Sequence, residues 1–210
     1  MNVKDSSLFE QPLNFVHQVK EGKHIVLFYE ELEYAKMISF QFIRSGLVLK
    51  KECSYLSEED VEAVKRDMAD IGIDVNRYTE NALLHIYQVP SLTDNNHPSG
   101  SQIEKEEPVH TILKNPSKTG QIDRIVLRCI YEINTEEQIK SNLKWEHDYR
   151  FKSLKSLGAT IVCTYPVNDI IPTISDSTGA YGKWMNDLLE IYDGVIFARR
   201  FWKGVAFNLS

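Results

Sequence analysis

The residues best placed to do chemistry form the run Tyr29-Glu-Glu-Leu-Glu-Tyr-Ala-Lys36, directly after the apolar stretch His24-Ile-Val-Leu-Phe-Tyr29. A strand that passes at once into a helix is where nucleotide-binding proteins carry G-x-x-x-x-G-K-[S/T]. The glycines of that pattern let backbone N–H groups wrap the phosphates, and its lysine reaches the outer ones. This run has no glycine, and Glu30, Glu31 and Glu33 stand where a polyanion would sit. Each carboxylate repels phosphate. Lys36 is the one basic residue in the run, and a lone lysine on an exposed helix face is expected to be solvated. The acid that would hold magnesium is missing as well: Ile125-Val-Leu-Arg128 has arginine where aspartate is wanted, with Glu132 the nearest substitute. Two independent losses argue against phosphoryl transfer. A divergent ATPase built on Lys36 and Glu132 is the enzymatic alternative.

Other chemistries leave weaker traces. His85, His97, His110 and His147 show no HxH or HxxxH spacing, so no metal signature is present. No G-x-S-x-G elbow accompanies the serines. In Trp145-Glu-His147-Asp148-Tyr149-Arg150 the histidine and aspartate are adjacent, so they point to different sides of a helix. The three cysteines, Cys53, Cys129 and Cys163, are widely spaced in apolar stretches and form no CxxC. They read as reduced, buried thiols, and Cys163 could react only if a loop exposed it.

The elements that position these residues follow from apolar periodicity. Apolar runs at 24–29, 51–56, 82–89, 124–131 and 159–165 read as strands, and their near-continuous hydrophobicity fits a sheet covered on both faces. Helical stripes alternate with them at 30–45, 57–71, 135–157 and 182–192. Gly46, Gly72 and Gly158 are expected terminators, and Ser57 an expected cap with Asp60 at the third helical position. Val195 to Arg199 and Val205 to Leu209 read as a hairpin. The composition shifts between 91 and 120, where Asp94-Asn-Asn-His-Pro-Ser-Gly100 reads as a mobile loop inserted in one domain of residues 1–210. Strand-helix alternation predicts an α/β fold with a mostly parallel sheet and a C-terminal β-hairpin.

In such sheets ligands collect beyond the carboxyl ends of the strands. Those ends carry Tyr29, Glu30, Ser57, Tyr131, Glu132, Thr164 and Tyr165, with Cys163 one residue inside. The set would suit a small, partly apolar molecule held by one or two hydrogen bonds. The competing reading makes Tyr29 and Tyr165 rim residues of the core with solvated hydroxyls.

The first strand, the helix ending Phe-Ile-Arg-Ser-Gly-Leu47, and Glu-Glu-Asp-Val-Glu-Ala-Val after the second strand together resemble the start of a RecA/KaiC-like module. More specifically they resemble the MEDS domain, the sensory domain of the DcmR regulator group. Asp70-Ile-Gly-Ile-Asp74 before a strand, Ala159-Thr-Ile-Val-Cys-Thr-Tyr165, and Tyr192-Asp-Gly-Val-Ile-Phe are similar to later passages of that pattern. The resemblance implies a RecA-like three-layer sandwich without its phosphate loop, acting as a non-catalytic sensory or regulatory domain. It implies a small organic ligand or a regulatory protein as partner, a possible homo-oligomer, no cofactor, and a histidine at the position of His24. A pure interaction scaffold is the further alternative.

Bulk properties are compatible with this. Hydrophobic residues make up 42% and charged residues 26% of the 210. A chain of this length buries on the order of 70% of its unfolded surface. A net charge of −6 disfavours direct nucleic-acid binding. The N-terminal sequence lacks a basic segment followed by an apolar run, and nothing approaches the ~20 apolar residues of a membrane helix. A cytoplasmic location is expected.

Overall fold

The computed structural model describes residues 11–89, 122–128, 158–167, 180–200 and 203–209. Its elements in chain order are α1 (Pro12–Gln18), β1 (His24–Tyr29), α2 (Leu32–Val48), β2 (Cys53–Ser57), α3 (Val61–Asp70), α4 (Val75–Glu80), β3 (Leu84–Gln88), β4 (Arg124–Arg128), β5 (Thr160–Pro166), α5 (Ala180–Leu189), β6 (Gly194–Ala198) and β7 (Gly204–Asn208). The seven strands form one sheet in the order β3-β2-β4-β5-β1-β6-β7. Every pairing is parallel except β6 with β7, an antiparallel hairpin. The predicted α/β class, mostly parallel sheet and terminal hairpin are all present. The expected insertion at 91–120 and the expected helix at 135–157 lie outside the described residues.

Side-chain alternation divides the core in two. Ile25, Leu27 and Tyr29 of β1, Tyr55 of β2, Val126 of β4 and Val162 of β5 pack against α1 to α4. Val26 and Phe28 of β1, Leu56 of β2, Ile125 and Leu127 of β4 and Ile161, Cys163 and Tyr165 of β5 pack on the opposite face, where Leu188 of α5 joins them. Each central strand is buried on both faces, which is why β1, β2 and β4 carry no exposed residue. Cys53 and Cys163 are buried, as their surroundings predicted. No helix among the described residues is long and apolar enough to cross a membrane.

Two local expectations are corrected. Ser57 is the last residue of β2 rather than a cap; Asp60 is the N-cap of α3, its carboxylate accepting from the Ala63 N–H at 3.0 Å. Between α3 and β3, Asp74 caps α4 by accepting from the Arg77 N–H. Pro166 closes β5, opposite Tyr29. Its missing N–H is tolerated at a strand end.

Gly46, finally, does not terminate α2, which runs on to Val48. The glycine instead permits close contact with the sheet. A Cβ there would lie 2.6 Å from Arg124 Cδ and 2.7 Å from Cys53 Sγ. Neither atom is free to retreat, because Arg124 Nη1 donates to the Phe42 carbonyl at 2.6 Å and the thiol is fully buried. Alanine in a helix interior gains about 1 kcal/mol over glycine, but overpacking of this kind costs about 1–3 kcal/mol. Gly46→Ala should therefore lower the unfolding free energy by about 1 kcal/mol or more in a denaturant titration. An unchanged or raised value would show that this contact can relax.

Candidate functional site

Because six strands run parallel, the ends of β1, β2, β4 and β5 all open on one edge of the sheet. β1 passes to α2 through Glu30 and Glu31 alone. The turn is drawn tight by the Glu30 N–H, which donates to the Ala198 carbonyl at 3.0 Å and extends the β1–β6 pairing by one residue. A two-residue connection has no length for a loop that wraps phosphates. The Glu30 carboxylate is held from outside by the hairpin, 3.2 Å from Arg199 Nε and 3.7 Å from Arg200 Nε.

Two buried cations, Lys36 and Arg128, meet two partly exposed carboxylates, Glu59 and Asp67. Lys36, on the second turn of α2, is only 8% exposed. The expectation of a solvated lysine is thus overturned. Its Nζ sits 2.8 Å from Glu59 Oε1 and 2.5 Å from Asp67 Oδ2. Burial opposes the charge on Lys36, but the hydrogen bonds to Asp67 and Glu59 outweigh it and raise its pKa. The other oxygen of Glu59 accepts from Arg128 Nη1, at the end of β4. Glu59 thereby bridges a lysine from α2 and an arginine from the sheet. The charges of the four residues balance, as buried charges must.

Around the arginine the polar groups are less well satisfied. Arg124 and Val126 face α2, so Arg128 does too, and parity places Tyr55 and Ser57 of β2 and Thr164 of β5 on the same side. The Tyr55 hydroxyl, Ser57 Oγ, Arg128 Nε and Thr164 Oγ1 are buried and make no hydrogen bond. The Tyr55 phenol lies near the guanidinium yet out of hydrogen-bonding geometry. Burial pushes its pKa up to about 12, against the pull of Arg128. Each buried polar group without a partner costs roughly 1–3 kcal/mol.

The residues singled out from sequence are only partly brought together. Tyr29 and Glu30 stand at the carboxyl edge, and Tyr29 lies within electrostatic range of Arg128. Cys163 and Tyr165 belong to the opposite layer, with Phe28 and Leu188. Tyr165 is 1% exposed and packs 6.1 Å from the Phe28 ring. His24 lies at the amino end, where its backbone N–H donates to Asp193 Oδ2 at 2.9 Å. Tyr131 and Glu132 lie outside the described residues. Sequence reasoning missed Tyr55, Glu59 and Asp67 altogether and placed Lys36 in solvent. The one signal available was Arg128, a charge at the end of an apolar strand that needs a buried counterion. No group of three or more His, Cys, Asp or Glu among the described residues is arranged to hold a metal ion.

No family model matches the chain, and no curated protein matches it either. Solved structures do match. A KaiC-like protein from the hyperthermophilic archaeon Pyrococcus horikoshii OT3 superposes with a TM-score of 0.56 at 18% identity, over 85% of this chain and 72% of that one. The chain has a RecA/KaiC-like fold. At that identity the likeness speaks for the fold alone.

The buried cluster makes stability sensitive to alkali. Burial raises the Cys53 thiol to about 12, against the nearby Arg124, and Tyr55 and Lys36 are raised as described. Each group holds its proton more tightly in the folded state. Its contribution is full below the unfolded pKa, about 8.5 for cysteine and about 10 for tyrosine and lysine. It is lost as pH rises through the folded value. Urea unfolding should give a free energy that falls above about pH 8.5, by about 1.4 kcal/mol per pH unit for each retained proton. Tyr55→Phe should flatten the fall above about pH 10. A profile that stays level to pH 11 would contradict this reading.

Proposed function

We propose that this chain is a non-catalytic regulatory domain on a RecA/KaiC-like fold, which responds to a small organic ligand or a protein partner at the carboxyl edge of its sheet. The observation that carries the reading is the fate of Lys36. In a working nucleotide site that position must stay available to phosphate. Here its ammonium is committed to Glu59 and Asp67 beneath a two-residue turn. Glu30 and Glu31 add negative charge at the α2 N-terminus, where an anion would otherwise be welcome. The resemblance to MEDS sensory domains points the same way, and it supports action by association with another protein, including a second copy of the chain.

A divergent ATPase is the competing reading, favoured by the shared fold of the KaiC-like neighbour. It needs Lys36 to leave its ion pairs and Glu132 to take the place of the metal-binding acid. Phosphate release from Mg–ATP separates the two. The regulatory reading expects release no faster than a protein-free blank, for wild type and Lys36→Ala alike. Release above the blank that disappears in Lys36→Ala would overturn it.

A further inference from the structure

Tyr55 Oη, Ser57 Oγ, Arg128 Nε and Thr164 Oγ1 have no hydrogen-bond partner, and all four residues are at most 5% exposed. Strand pairing makes them neighbours. Ser57 lies directly across from Arg128. Leu127 pairs with Cys163, so the next residue on each strand sets Arg128 beside Thr164. Tyr55 precedes Ser57 by two residues and shares its face. Adjacent strands are about 4.8 Å apart, which confines the β2, β4 and β5 groups to a span of about 10 Å.

Single buried orphans are rare in folded proteins. Four adjoining ones, on three strands at the edge where α/β sheets bind ligands, describe a site rather than a packing accident. The chemistry of the set is uniform, because each member can donate. Arginine can only donate. The Tyr55 phenol, held near 12, keeps its proton across the physiological range. The bound group must therefore offer acceptors. Nη1 of Arg128 is occupied by Glu59, while Nε on the other edge of the guanidinium is unpartnered. That edge is the one able to grip a carboxylate with parallel hydrogen bonds. The same layer holds the apolar Leu27, Phe40, Val126 and Val162 beside the paired Lys36 and Glu59.

We propose that Arg128, Tyr55, Ser57 and Thr164 bind the carboxylate of a small organic acid whose remaining surface is apolar. This rests on the reading of the chain as a ligand-binding regulatory domain and names the ligand class.

The test follows the thermal unfolding midpoint during titration with acetate, butyrate and benzoate, at constant ionic strength with chloride as reference. Wild type is compared with Ser57→Ala and Thr164→Val, both small changes that keep the strands intact. At least one carboxylate should raise the wild-type midpoint saturably, by about 3 °C or more. The rise should be lost or need at least tenfold more probe in both variants. Thr164→Val, near in shape to threonine, should also leave the ligand-free midpoint unchanged or higher, because it removes an unsatisfied group. A response that survives in both variants overturns the site, as does a lower ligand-free midpoint in Thr164→Val with no carboxylate response, the signature of internal water. Phosphate release on the same protein separates the failures. Lys36-dependent release overturns the regulatory reading and the site together, whereas silence with every carboxylate and no release overturns the site alone.

Discussion

The Glu59 carboxylate is the constraint on which this edge of the molecule depends. One oxygen faces Lys36 and the other Arg128, so a single side chain bridges a buried cation on α2 and another at the end of β4, with Asp67 supplying the second negative charge. Removing one partner of such a buried pair typically costs about 3–5 kcal/mol, because it strands an uncompensated charge. Glu59 keeps 27% of its side chain exposed, which places its own share toward the lower end of that range. The bridge ties the helix that follows β1 to the centre of the sheet.

Function then follows from what the bridge leaves over. A site designed for polyphosphate needs open backbone N–H groups and uncommitted cations. This one offers a short acidic turn, a committed lysine and an arginine with one edge engaged. What remains is a row of hydroxyls beside that arginine, among aliphatic and aromatic side chains. Such a lining suits a compact, partly apolar molecule far better than a nucleotide. Binding there would act directly on the β2, β4 and β5 ends and, through Glu59, on α2 and α3. α3 carries an exposed face opposite Val64 and Met68.

Much of the architecture was legible in the sequence for simple reasons. Runs such as His24–Tyr29 and Thr160–Pro166 are mostly apolar because both faces of the central strands are covered. The hairpin was visible in two short strands around a glycine-bearing turn. The site was less legible. Tyr29 and Tyr165 sit at neighbouring strand ends, yet pairing of Phe28 with Tyr165 sends the two tyrosines to opposite layers. That parity depends on register, which no local pattern reveals. Lys36 read as solvated because Glu59, Asp67 and Arg128 meet it only through tertiary packing. Gly46 read as a stop signal because a glycine required for close approach and one required for a helix end look alike in a single chain.

The central claim is that this charge bridge has replaced nucleotide binding, and calorimetric titration of the intact chain with Mg–ATP tests it most directly. The account predicts heats indistinguishable from dilution up to millimolar nucleotide. A saturating one-site isotherm with a dissociation constant in the micromolar range would contradict it and return the chain to the nucleotide-binding members of its fold.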